Sequence, residues 1–113
     1  MMFLALLLAL IAPPSALAVR AQARANLASY IQDGDYPPQA MQRGEQGQVG
    51  FELDVSPAGR VVHCRVIQSS GSALIDAATC RIMVARARYI PARNADGSAA
   101  SDTVTGNIRW FLP

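Results

Sequence analysis

The chain has 113 residues, 51% of them apolar, and a formal net charge of +2. That length admits one domain. All ten basic residues are arginines, scattered except for a loose group of Arg81, Arg86, Arg88 and Arg93. A nucleic-acid binder needs a concentrated basic patch, so no nucleic acid is expected as a partner.

Met1 to Ala12 is an uninterrupted apolar run, closed by Pro13 and Pro14 and followed by the small-x-small triplet Ala16-Leu17-Ala18. This layout predicts a signal peptide over residues 1–18, cleaved after Ala18. The n-region carries no Lys or Arg, and an uncleaved membrane anchor is the alternative. A membrane-spanning helix needs roughly 20 apolar residues, more than this run supplies. Residues 19–29 are rich in Ala and Arg and read as a linker or a frayed helix. The domain proper is expected over residues 30–113.

Tyr30-Ile31-Gln32 is a short patch expected beside a sheet edge. Asp35 is a candidate cap for a short helix over Pro37 to Arg43, because prolines fit a first helical turn. Ala40 and Met41 are its expected buried residues, and Gly44 ends it as a left-handed cap. Val49, Phe51, Leu53 and Val55 then alternate with polar residues, the period of a half-buried strand. Ser56-Pro57-Ala58-Gly59 supplies turn chemistry. A second strand follows, with Val62, Cys64 and Val66 expected on the same inner face. A bare hairpin is marginal in water, so other elements must cover that face.

Ser72 is an N-cap for a helix from Ala73 to about Arg88, with Asp76 near the positive end of its dipole. Leu74, Ala77, Cys80, Val84 and Ala87 recur at three- and four-residue spacing and are the expected core stripe. Asn94-Ala95-Asp96-Gly97 is turn material. Ser101 to Leu112 reads as a long strand. Val104, Gly106, Ile108, Trp110 and Leu112 lie on one face; Thr103, Thr105, Asn107, Arg109 and Phe111 lie on the other. The sum is α+β: a three-stranded antiparallel sheet with two helices on one face.

Two cysteines in an exported chain favour a disulfide. Cys64 on the strand and Cys80 on the helix stripe both point to the core, which supports that pairing. Two buried thiols are the bland alternative, and a redox pair lacks the close C-x-x-C spacing. His63 is the single histidine. No nucleophile neighbours it in sequence, and metal ligation would need several ligands. No enzymatic activity, metal or cofactor is expected. A cleft that set His63 against a carboxylate such as Glu52 would reopen the question.

Several short motifs, in order, carry a resemblance. They are Tyr36-Pro37-Pro38-Gln-Ala40, Gly47-x-Val49-x-Phe51-x-Leu53-x-Val55, Gly59-x-Val61, Val66-x-x-Ser69-Ser70-Gly71, Leu74-x-Asp76-x-Ala78, Tyr89-x-Pro91-Ala92 and Ile108-x-Trp110-x-Leu112. Together they resemble the TonB carboxy-terminal domain over roughly residues 30 to 112. The paired Cys64 and Cys80 look like a subset of that family. The resemblance implies a periplasmic module that grips the TonB-box peptide of an outer-membrane transporter by strand addition, linked to TonB-dependent transport. An inner-membrane anchored form is the alternative location.

The last strand is the expected docking edge: Thr103, Val104, Thr105, Gly106, Asn107, Ile108 and Arg109. Its length and lack of proline suit pairing with an extended peptide. Arg43 is a further candidate contact, for an acidic peptide residue. A full TonB transducer has a membrane anchor that meets ExbB and ExbD, then a long Pro-rich spacer. Here Ala18 to Tyr36 is too short for such a spacer at ~3.5 Å per residue, so ExbB and ExbD are expected as indirect partners only. The rival reading is a periplasmic assembly domain that forms a homodimer through its open sheet edge.

Overall fold

A computed structural model describes residues 17–113. The apolar run behind the expected signal peptide lies outside the described residues. Two short helices of the 3-10 type, Leu27–Tyr30 and Asp33–Asp35, precede α1 (Pro38–Gln42). The central hairpin is β2 (Gly47–Val55) and β3 (Val61–Gln68), followed by α2 (Ala73–Arg86) and, at the end, β7 (Asp102–Trp110). Four two-residue strands complete the described chain, one ahead of the 3-10 helices and three between α2 and β7. β1 (Gln22–Ala23) pairs with β4 (Tyr89–Ile90), and β5 (Ala92–Arg93) pairs with β6 (Ala99–Ala100).

The main sheet is antiparallel, in the order β3-β2-β7. β2 is central because both its edges are paired, and it carries the densest alternation: Val49, Phe51, Leu53 and Val55 are all buried. Leu53 sits opposite Cys64 on one side and Val104 on the other. The helices cover this face, and the core joins Ala40 of α1 to Ile75, Ala78, Ile82 and Met83 of α2, with Ile108 and Trp110 of β7. Each fully buried side chain of the Leu or Phe class contributes about 1.5–3 kcal/mol.

Gly44, at φ 66°, follows α1 as expected for a left-handed cap. Met41 is exposed and only Ala40 of that helix is buried. Asp35 does not cap α1, whose N-cap is Pro37; its carboxylate receives Arg86 instead.

Two faces differ from expectation. On β3 the register shifts twice: Asp54 faces His63 while Val55 faces Val61, and Phe51 faces Val66 while Gly50 faces Gln68. Val62 and Ile67 are the extra residues, 63% and 60% exposed, and Val61 takes the inner place expected of Val62. Bulges eject one residue and bend the strand. Alternation cannot reveal this in a run where apolar residues are adjacent. Val66 keeps its inner side but, on an edge strand, remains 39% exposed.

On α2 the buried stripe is Ile75, Ala78, Thr79, Ile82 and Met83. At about 100° per residue, its centre lies on nearly the opposite side of the helix from the expected stripe. Ala77 and Val84 face water, Leu74 and Cys80 sit at the border, and Ala87 is buried just beyond the helix. The helix has apolar residues on most of its circumference, and its buried face includes a polar Thr79. Hydropathy alone therefore selected the wrong side. Cys64 and Cys80 are nonetheless bonded, with Cα atoms 5.4 Å apart, stitching the border of α2 to β3.

The segment expected as a linker or frayed helix carries β1 and the start of the first 3-10 helix. Val19 bridges to Arg93, β1 pairs with β4, and Arg86 ties the following turn down through the Tyr30 carbonyl at 2.9 Å and both Asp35 oxygens.

Candidate functional site

β7 is an edge strand: β2 lies on one side and no strand lies on the other among the described residues. Nine consecutive residues pair with β2 without a register shift. In such a ladder each residue turns both its N–H and its C=O to one side, and successive residues alternate.

Thr103 fixes which residues turn outward. Its N–H donates to Asp102 Oδ1 at 2.8 Å and its carbonyl accepts from Arg20 Nη2 at 2.8 Å. Neither partner belongs to β2, so Thr103 faces the free side. By alternation Thr105, Asn107 and Arg109 face it too. Among the described residues, no side chain and no loop backbone hydrogen-bonds to the main chain of these three. Their side chains are exposed on the outer face, whereas Val104, Gly106, Ile108 and Trp110 turn toward the core side.

A groove of about 600 Å³ runs beside the second half of this edge. Ile31, Tyr36, Met41, Ile108, Trp110 and Phe111 supply its apolar surface, with Arg109 at the rim. Tyr36 and Trp110 meet edge to face, ring centres 5.4 Å apart. The Tyr36 hydroxyl donates to the Glu45 carbonyl, which orients the ring. Phe111 is 69% exposed, a large apolar side chain left in water at the end of the strand. Arg43, at the C-cap of α1, is exposed and is not among the residues lining this groove.

The first half of β7 is anchored by residues that sequence reading missed. Asp102, with its side chain only 6% exposed, accepts from Arg20 Nε at 2.7 Å and from the Ala21 amide at 2.9 Å. The Arg20 hydrogen bond holds its carboxyl below the ordinary carboxylate range, against the opposing effect of burial, and the amides of Ala21 and Thr103 add to it. Leu27 sits against Gly106, where a Cβ would come 2.8 Å from its methyl group. No local signal marks Arg20, which is 82 residues from Asp102 in sequence.

On the outer face of the sheet, Arg65 bonds both Glu52 and Asp54, at 2.5 and 2.9 Å, and His63 Nδ1 lies 3.2 Å from Arg65 Nη1. The carboxylate nearest in register to His63, Asp54, is held down to about pKa 2 by Arg65 and by the Thr103 hydroxyl. His63 is thus set against a cation, and the carboxylates that could have activated it are already engaged. No group of three or more His, Cys, Asp or Glu side chains converges on a metal-binding geometry among the described residues.

This geometry defines a two-layer domain with an open, straight edge strand and an apolar groove beside it, the construction of a protein-interaction module. Residues 33–112 match the family described as the Gram-negative bacterial TonB protein C-terminal, and the chain belongs to that family. The solution structure of the TonB carboxy-terminal domain of Pseudomonas aeruginosa is similar in fold, with a TM-score of 0.58 and 22% identity, covering 81% of this chain and 86% of that one. No curated protein matches the sequence. Among the described residues no helix is long and apolar enough to cross a membrane.

Proposed function

We propose that the chain is a periplasmic TonB-like binding module that docks an extended peptide, the TonB box of an outer-membrane transporter, as a fourth strand beside β7. One observation carries this reading: among the described residues, the outward main-chain groups of Thr105, Asn107 and Arg109 have no partner, on an edge without a register shift or a proline. An added strand gains affinity from such groups and selectivity from neighbouring pockets. The groove lined by Ile31, Tyr36, Trp110 and Phe111 provides one such pocket. Arg109 at its rim suits an acidic peptide residue better than Arg43, which lies outside the groove lining. In this reading a signal peptide is removed after Ala18, ahead of the family-matched residues 33–112.

The test is an NMR titration of the oxidised, isotope-labelled protein with amino-terminal peptides of outer-membrane transporters from the same cell. Amide shifts centred on Thr105 to Arg109 are expected. A folded protein whose spectrum stays still at millimolar peptide would sink the reading for those peptides.

Self-association is the second reading, favoured by the other edge. Among the described residues no strand pairs with the outer side of β3, which exposes Val62, Val66 and Ile67. A long edge with exposed apolar residues invites pairing with another copy. A mass that rises with concentration in sedimentation or light scattering would favour it.

A further inference from the structure

We propose that Arg20 and Asp102 form a stop that closes the first part of the β7 edge, so that an added strand engages only Thr105 to Arg109. The proposal rests on the docking reading for its function, but the stop itself is a property of the free protein.

A strand extended along β7 toward its start would next need the N–H and C=O of Thr103. Both are already bonded, the amide to Asp102 Oδ1 and the carbonyl to Arg20 Nη2. The two capping side chains hold each other, Arg20 Nε to Asp102 Oδ2 at 2.7 Å. The same carboxylate oxygen takes the Ala21 amide, which fixes the backbone that carries Arg20. The Val19 bridge to Arg93 and the pairing of β1 with β4 secure that backbone on either side. Thus four hydrogen bonds converge on one end of the strand, and among the described residues none reaches the outward main chain of Thr105, Asn107 or Arg109. Charge-assisted bonds of this type are stronger than neutral ones, so a peptide that displaced them would lose more than it gained.

The physical consequence is a limit on length and register. An incoming strand can pair over about five residues, from Thr105 to Arg109, because pairing positions recur at every second residue. Residues of the partner beyond that limit meet the Arg20 guanidinium, which is 65% exposed. Charged side chains at the end of an edge strand are a common way to terminate pairing. Arg20 lies ahead of the family match at 33–112 and Asp102 within it, so the stop joins the preceding segment to the last strand of the shared domain.

The experiment has two arms on the oxidised protein purified from the periplasmic fraction. The first is amide hydrogen exchange without any peptide. Thr103 is expected to exchange at least tenfold more slowly than Thr105, Asn107 and Arg109, and Asp102→Ala, which removes the acceptor of its amide, is expected to erase most of that difference. Equal exchange at Thr103 and Thr105 in the unaltered protein would overturn the stop, whatever any peptide does. The second arm titrates a transporter amino-terminal peptide of about five residues and the same peptide lengthened by about four toward the Thr103 end. In the unaltered protein the two should bind equally and leave the Thr103 amide unmoved. In Arg20→Ala the longer peptide should gain roughly tenfold in affinity, the scale of one or two net hydrogen bonds. A Thr103 shift as large as that of Thr105 in the unaltered protein would also overturn the stop. A protein that passes the exchange arm yet binds neither peptide leaves the stop standing and removes the docking reading instead.

Discussion

Trp110 Nε1 donates to Thr79 Oγ1 at 2.9 Å, with both residues buried. Thr79 in turn donates to the Ile75 carbonyl at 2.8 Å. The bond joins the last strand to the middle of α2 and explains why the buried face of that helix contains a polar residue. Removing the hydroxyl would leave the indole N–H buried and unpaired, at about 1–3 kcal/mol. Thr79→Val should therefore destabilise by that amount, while Thr79→Ser, which keeps the acceptor, should cost less. Urea unfolding followed by the fluorescence of Trp110 measures both; equal losses would contradict the assignment.

The Cys64–Cys80 bridge spans a sequence separation of 16. On the chain-entropy account a loop of that length contributes about 3 kcal/mol, mainly by restricting the unfolded chain. Reduction, or the double replacement by Ala, should lower unfolding stability by about that figure. A change below about 1 kcal/mol would mean that the reduced unfolded chain is already restricted.

Acid should weaken the fold in a defined direction. Asp54, Asp35 and Asp102 all titrate below the ordinary value of 3.8, because Arg65, Arg86 and Arg20 respectively hydrogen-bond their carboxylates; Asp54 falls to about 2. In the window between the folded and unfolded pKa values the unfolded chain binds more protons, so stability rises with pH there. The contribution is complete above about pH 5 and disappears as pH falls toward about 2. Chemical denaturation at a series of pH values should trace this loss, and Asp54→Asn should flatten it. An unchanged slope in that variant would exclude Asp54 as a contributor.

Gly59 closes the β2–β3 turn at φ 79°, and a Cβ there would lie 2.2 Å from the Tyr89 carbonyl oxygen. The Tyr89 amide also donates to the Gly59 carbonyl at 2.9 Å, so the two backbones cannot separate freely. Gly59→Ala should cost about 2 kcal/mol or more, combining left-handed strain with backbone overlap. Gly34 has open space around its Cβ position and is not in the left-handed region. Gly34→Ala should change stability by less than about 0.5 kcal/mol. Thermal melts of the pair would decide, since similar shifts for both would refute the contact argument.

The parts of the fold governed by short-range patterns were legible in the chain's order of residues. The alternation from Val49 to Val55 specified the central strand and its buried face. Ser72 and Gly44 marked a helix start and a helix end. The strict period of Thr103 to Trp110 assigned both faces of the last strand, and ordered motifs pointed to the family. The choice of Cys80 partner was also legible, because the two cysteines are the only ones and both lie near the core. The remaining features depend on contacts between distant segments. The bulges at Val62 and Ile67 arise where two strands must bend together, and nothing within β3 announces them. The buried side of α2 was set by what Trp110 required opposite it, which outweighs hydropathy on a helix rich in small apolar residues. The first part of the β7 edge is capped because Arg20 reaches Asp102 and Thr103 across most of the chain. A hydrogen bond between residues so far apart leaves no periodic trace, since it depends on where folding brings two side chains and not on their neighbours in sequence.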